Sequence, residues 1–104
     1  MGLSILHLLA APPDTPSNQA FWKDTREGLS SGGSLSAYFL HEGASALLDP
    51  RLPKLVAQGL RLFGCPRAVE SYAPSHSAEI VLGGPGLLAE LIERCKASRS
   101  YNPR

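Results

Sequence analysis

The sequence predicts an α/β fold, a three-layer α/β/α sandwich built on a mostly parallel sheet of four to five strands. Short apolar runs alternate along the chain with segments that have helical periodicity. The first run, residues 3–10, is almost continuously apolar, which is typical of a strand covered on both faces. Right-handed crossovers between such strands place helices on both sides of the sheet. Because 104 residues suffice for one hydrophobic core but not two, we expect a single domain over residues 1–104.

The first half of the chain predicts two strands joined by one helix. Prolines at positions 12, 13 and 16 end the first strand, and Thr15-Pro16 or Ser17 can begin a helix that continues to residue 29. The second strand, residues 35–40, is rich in aromatic residues and ends at His41-Glu42-Gly43. The face that the helix turns to the core is formed by Phe21, Thr25, Gly28 and Leu29.

The middle of the chain predicts a second strand–helix alternation. Asp49-Pro50 can begin a helix that ends near Gly59, although Pro53 leaves its first residue open. A strand over residues 60–65 follows, and Pro66 is then favoured at the first position of a short helix that continues to residue 73.

The last quarter predicts a strand, the most regular helix and an edge strand. Residues 78–82 form the fourth strand, and the turn Gly83-Gly84-Pro85-Gly86 leads into the helix. Residues 98–101 can add a short strand at the edge of the sheet. The apolar face of the last helix is formed by Leu88, Leu91, Ile92 and Cys95, so we expect Cys95 in the core.

Charge and cysteine content limit the classes of partner. Ten basic residues are scattered among nine acidic ones, which gives a net charge of +1 and no basic patch for nucleic acid or an anionic membrane. No apolar stretch reaches membrane-spanning length, and the two cysteines have settings typical of intracellular thiols. The three histidines lack metal-ligand spacing. We therefore expect a cytoplasmic protein without metal, cofactor, nucleic-acid partner or membrane contact.

Cys65 is the most informative residue. It lies between a predicted strand and a predicted helix, so it falls at or next to the helix N-cap. A thiol in that place faces the positive end of the helix dipole and free amide groups, which favour the thiolate. The alternative is a buried cysteine that packs as a small hydrophobic residue.

Other candidate site residues are expected near Cys65, because ligands bind beyond the carboxyl ends of parallel strands. His41 and Arg67 are candidates to activate or position the thiolate, although a solvent-facing loop is the simpler explanation for His41. The glycine turn before the last helix exposes amide groups, as an anion site does. The candidate ligand-binding residues are Glu42, Gly43, Gly83 and Gly84, and a left-handed turn is the simpler explanation for Gly43.

Two known cysteine chemistries do not fit this loop. Phosphatase and rhodanese loops close with an arginine six residues after the thiol, and that position is Ser71. Thioredoxin chemistry needs a second thiol three residues on, where the chain has Ala68. A hydrolase that uses His41 is disfavoured, because no nucleophile, base and acid can be assembled.

Three short motifs resemble the DsrE/DsrF-like (YchN-type) family over nearly the whole length. Residues 38–44, Tyr-Phe-Leu-His-Glu-Gly-Ala, are similar to the aromatic strand and acidic glycine turn of that family. Residues 65–69, Cys-Pro-Arg-Ala-Val, are similar to its cysteine and short helix, and Leu82-Gly83 followed by Leu87-Leu88 to its last strand and helix. The sequence departs from the family pattern at Glu42, which replaces the usual Asp, and at residues 70–73.

The resemblance implies a three-layer fold, assembly into dimers, trimers or hexamers, and a cysteine that carries a persulfide between partner proteins. Only Cys65 matches that sulfur-carrying role. The first functional hypothesis is thus sulfur relay between a donor and an acceptor protein. The second is a non-catalytic oligomeric binding module with a small-anion or partner pocket at the strand carboxyl ends. High apolar content and competition of Phe21, Trp22 and Tyr38 for a small interior also favour a homo-oligomer.

Overall fold

The computed structural model describes residues 4–103. Five strands within this range form one sheet, in which every neighbouring pair is parallel. The strands lie in the order β4-β3-β2-β1-β5. Their bounds are β1 Ser4–Leu9, β2 Ser34–Phe39, β3 Arg61–Gly64, β4 Val81–Leu82 and β5 Ala97–Tyr101. The helices are α1 Pro16–Ser30, a 3₁₀ helix His41–Leu48, α2 Leu52–Ala57, α3 Pro66–Tyr72 and α4 Pro85–Arg94.

The strand order fixes which face each helix covers. From β1 to β4 the chain advances in one direction across the sheet, so right-handed crossovers put α1, α2 and α3 on one face, called here the first face. From β4 the chain returns past the other strands to pair β5 with β1, and this reversal puts α4 alone on the second face. The predicted three-layer sandwich is confirmed, with layers of unequal size.

The first face holds the main core. Thr15 caps α1 by accepting a hydrogen bond at Oγ1 from the backbone N–H of Asn18 at 3.3 Å, and Pro16 begins the helix. The ring of Phe21 packs edge to face against Phe39 of β2 and Tyr101 of β5. Trp22 is buried beside it. The predicted core face of α1 is therefore confirmed, with Phe21, Thr25 and Leu29 buried and Gly28 half-buried.

A small polar cluster lies within this core. The Nδ1 atom of buried His7 is 2.8 Å from Oγ1 of Thr25, and its ring lies edge to face with Tyr101. The hydroxyl of Tyr101 donates to Oδ2 of Asp24 at 2.9 Å. Burial, reinforced by Asp24, raises the pKa of Tyr101 to about 12. Burial, followed by the charge of Arg99, lowers the pKa of His7 below 6.5.

The second face is covered more thinly. None of the residues of α4 is buried, and Ile92 is 45% exposed to solvent. The helix is confirmed, but the prediction that Cys95 belongs to its core face is wrong. The helix ends at Arg94, and Cys95 follows it as the half-buried C-cap, with its sulfur 3.4 Å from Oγ of Ser4. Phe21, Trp22 and Tyr38, which were expected to compete for the interior, are all buried within it.

The other differences from the sequence prediction concern segment ends. The turn predicted at residues 41–43 is the start of a 3₁₀ helix, and α2 begins at Leu52 because Asp49 caps the backbone N–H of Arg51 outside the helix. The fourth strand contains only Val81–Leu82, which pair with Phe63 and Gly64 of β3. The predicted start of β1 at Leu3 lies outside the described residues. Within residues 4–103, no helix has both the length and the apolar character needed to cross a bilayer.

Candidate functional site

Cys65 occupies the junction between β3 and α3, as the sequence predicts. Its backbone N–H donates to the carbonyl of Phe39 at 3.0 Å, which continues the pairing of β3 with β2. Its own carbonyl accepts from Val69 at 3.0 Å and so forms the first turn of α3, with Pro66 at the first position. Cys65 is therefore the N-cap residue, held by backbone contacts on both sides.

The side chain of Cys65 is half-buried and lines a cavity of about 340 Å³, called here the Cys65 cavity. Residues from both sides of the sheet edge contribute to it. Its polar lining consists of Cys65, His41, Arg67 and Ser71, and its apolar lining of Tyr38, Leu40, Ala68, Tyr72, Pro85 and Leu88. The structure thus brings the predicted thiol, imidazole and guanidinium to one cavity.

The thiol makes fewer polar contacts than the sequence suggested. No amide of α3 donates a hydrogen bond to Sγ of Cys65 in the described part of the chain. The expected cradle of amide groups is therefore absent, although the backbone of Cys65, with φ −73° and ψ 123°, has the extended conformation usual for an N-cap residue. What remains of the prediction is a thiol at the first turn of a helix, next to open space.

His41 reaches the cavity through an uncommon backbone conformation. Its φ of 52° is left-handed, so the left-handed turn expected at Gly43 lies two residues earlier. Gly43 is buried instead against β1, where an added Cβ would overlap the carbonyl oxygen of Leu9. Glu42 is exposed, and its backbone carbonyl accepts from Oγ of Ser45 at 2.9 Å. Neither Glu42 nor Gly43 lines the Cys65 cavity.

Tyr38 was not predicted as a site residue, yet it contributes to the base of the cavity. Its hydroxyl donates to the carbonyl of Gly83 at 2.6 Å and so ties β2 to the turn before α4. Burial, followed by the negative charge of an ionised Cys65, raises the pKa of Tyr38. The sequence offered one signal, because alternation along β2 puts Tyr38 on the face opposite Phe39, toward α4.

The two glycines predicted to bind a ligand shape the cavity without lining it. Gly83 accepts the Tyr38 hydrogen bond, and a Cβ at Gly83 would collide with the side chain of Leu87. Gly84 is the N-cap of α4, with no side-chain atom to satisfy the first amides. The glycine turn therefore fixes where Pro85 and Leu88 meet Tyr38.

A second and wider opening of about 880 Å³, called here the outer groove, also borders Cys65. Arg67, Glu70 and His76 contribute its polar groups. The Nδ1 atom of His76 is buried and has no hydrogen-bond partner among the described residues. No sequence pattern pointed to His76, which belongs to an irregular segment after Pro74. Nowhere in residues 4–103 do three potential metal-ligating side chains come together.

Comparison with known proteins shows the fold. No protein-family model and no curated protein sequence matches the chain. The crystal structure of the ychN protein from E. coli superposes with a TM-score of 0.69 at 12% sequence identity, and the match covers 96% of this chain and 100% of that one. The resemblance noted in the motifs around His41 and Cys65 therefore extends to the whole three-dimensional arrangement, and this chain has the YchN/DsrE-like fold.

Proposed function

We propose that the protein relays sulfur, with Cys65 accepting a sulfane sulfur as a persulfide and passing it to a partner protein. In the loading step, the thiolate of Cys65 attacks the terminal sulfur of a sulfane-sulfur donor. The donor S–S bond breaks, its electron pair leaves with the inner sulfur of the donor, and a new S–S bond forms on Cys65. No net oxidation is required, so no further cofactor enters the step.

The observation that carries this proposal is the position of Cys65 at the wall of an open cavity. A half-buried thiol beside open space can be reached by a second sulfur and still be shielded from bulk water. Arg67, two residues into α3, supplies a positive charge at the same wall, and His41 supplies an imidazole that can take or return a proton. The motif resemblance to the DsrE/DsrF-like family implies the same sulfur-carrying role for Cys65.

The direct test is mass spectrometry of protein purified without reductant. The proposal predicts an adduct of about 32 Da on Cys65 that accurate mass separates from sulfinic acid and that reductant removes. Cys95→Ser should keep the adduct, while Cys65→Ser should lose it. An adduct that resists reductant, or that maps to Cys95, would contradict the proposal.

A non-catalytic binding module is the second candidate, and the apolar lining of the Cys65 cavity favours it. In that case Cys65 contributes packing only, because its sulfur accepts no amide hydrogen bond in the described chain. Cys65→Ala would then leave binding of a partner or small anion unchanged. Under sulfur relay the same variant would lose all sulfur loading.

We also propose that the protein assembles as a dimer, trimer or hexamer. The support is the exposed apolar surface near the second face. There, Val81, Leu82 and Ile92 are 55%, 49% and 45% exposed to solvent. Light scattering at high concentration should therefore give a mass above the 11.1 kDa of one chain. A cytoplasmic location belongs to the same proposal, because a relay cysteine needs a compartment that keeps thiols reduced.

A further inference from the structure

We propose that the Cys65 cavity binds a small organic anion with an apolar body, and that this molecule is the sulfur donor. The inference rests on the proposed function and specifies one end of the relay. It identifies the donor class as a low-molecular-weight sulfane-sulfur compound whose sulfur is carried next to an acidic oxygen group. Three features of the cavity support it.

The first feature is size. A cavity of about 340 Å³ lies within the range typical of small-molecule sites. A cavity of this volume has room for a compound with about ten non-hydrogen atoms.

The second feature is the chemistry of the walls. Leu40 after β2, Tyr72 of α3 and Leu88 of α4 contribute apolar surfaces to the cavity from three separate parts of the chain. The hydroxyl of Tyr38 is already engaged by Gly83, so that residue offers the cavity little more than its ring. A bare oxyanion such as thiosulfate would gain nothing from these walls, whereas a flat apolar body would be desolvated by them.

The third feature is charge. Arg67 is the one formally charged side chain in the lining, and no carboxylate of the described residues forms an ion pair with it. Glu70, one turn later, lies on the outer groove instead. A guanidinium without a partner next to a thiol is suited to hold an anionic oxygen group while sulfur is transferred. The lining offers no carboxylate for a ligand ammonium, which disfavours amino-acid persulfides.

The arylthiosulfonates combine these properties, and benzenethiosulfonate, with ten non-hydrogen atoms, is the probe. The thiolate of Cys65 attacks its terminal sulfur, the S–S bond breaks, and the electron pair leaves with the sulfur that bears the two oxygens. The products are benzenesulfinate and the persulfide of Cys65. The sulfinate charge develops where Arg67 can neutralise it.

Binding is tested separately from sulfur transfer by using Cys65→Ser, which cannot be loaded. Calorimetry or amide chemical shifts should show that this variant binds benzenethiosulfonate at least about tenfold more tightly than thiosulfate, because only the former buries apolar surface. Adding Arg67→Gln should weaken binding by about tenfold, while Arg61→Gln, an exposed arginine outside the cavity, should leave it unchanged. Adding Leu88→Ala should weaken the binding of benzenethiosulfonate but not the binding of thiosulfate.

The two proposals fail differently in this experiment. No binding of benzenethiosulfonate, equal binding of thiosulfate, or indifference to Arg67→Gln would overturn the donor assignment, even if the wild-type protein is loaded by another persulfide. Tight, Arg67-dependent binding without any persulfide on wild-type Cys65 would instead overturn the proposed function and retain the cavity as a site for an apolar organic anion.

Discussion

The two faces of the sheet differ in how completely they are covered, and the candidate site lies where they meet. On the first face, aromatic rings from α1, β2 and β5 pack edge to face, and the buried imidazole of His7 is hydrogen-bonded to Thr25. On the second face a single helix, α4, lies over the sheet without burying any of its residues. The first face therefore supplies stability, and the second leaves room for a ligand beside Cys65.

The difference follows from one event in the topology. After β4 the chain returns to the far side of β1, so only one crossover helix is available for the second face. The glycine turn that begins this helix sits above Tyr38, and the gap between Tyr38, Leu88 and Cys65 is the cavity. An open site here is a consequence of strand order.

The largest expected effect contrasts one apolar side chain from each face. Phe21→Ala should lower the free energy of unfolding by about 3–5 kcal/mol, because it leaves a cavity among buried aromatic rings. Ile92→Ala should change it by only about 0.5 kcal/mol in dilute protein, since nearly half of that side chain is exposed. Urea unfolding of both variants measures the difference. Equal losses would show that the second face is as tightly packed as the first.

Two glycines give the next contrast. Gly43→Ala should cost about 1–3 kcal/mol or more, because the new Cβ would overlap the backbone of Leu9, which cannot move aside without disturbing β1. Gly86→Ala, in the first turn of α4, meets no atom within 4 Å and should stabilise the helix by about 0.5–1 kcal/mol. Thermal unfolding of the two variants should therefore shift in opposite directions.

The buried His7 predicts a pH dependence that belongs to the first face alone. Its folded-state pKa is lowered by burial, so the unfolded chain binds more protons once the pH falls below 6.5. Folding stability is therefore unaffected by His7 above about pH 7, and it falls as the pH drops from 6.5 toward the lowered pKa. Urea unfolding between pH 7.5 and 5.5 should show falling stability, and His7→Gln should flatten that slope. An unchanged slope in the variant would assign the effect elsewhere.

The smallest expected effect concerns the hydrogen bond that joins the sheet to α4. Tyr38→Phe removes the donor to the carbonyl of Gly83 and should cost about 0.5–1.5 kcal/mol. Tyr72→Phe, at the same cavity, removes an exposed hydroxyl with no hydrogen bond in the described chain and should cost less than about 0.5 kcal/mol. If Tyr72→Phe loses as much unfolding free energy as Tyr38→Phe, the hydrogen bond to Gly83 makes no specific contribution to stability.

Sequence patterns predicted the fold well where local signals were strong. The apolar run of β1, the Thr15-Pro16 start of α1 and the Cys65-Pro66 junction are all encoded within a few residues, and the structure places them as expected. The 3₁₀ helix after β2 has no such signal, because its short turns bury alanines that are compatible with many conformations.

The candidate site was only partly predictable, because its geometry depends on strand order. Cys65, His41 and Arg67 could be found from their positions at strand ends, but Tyr72 and Leu88 become neighbours only through the placement of α3 and α4 around the sheet. The misplacement of Cys95 has a local cause. Helical spacing continues through residue 95, whereas the chain leaves the helix at Arg94 to pair β5 with β1.

The two cysteines provide the most direct test of the central claim, that the sulfur of Cys65 is reactive. Both are half-buried, but Cys65 lines the open Cys65 cavity beside Arg67, while Cys95 is the C-cap of α4, with its sulfur 3.4 Å from Oγ of Ser4. Iodoacetamide labelling at pH 7, read by mass mapping, should modify Cys65 at least about tenfold faster than Cys95 in the folded protein, and the rates should converge in urea. Equal rates in the folded protein, or faster labelling of Cys95, would contradict the account.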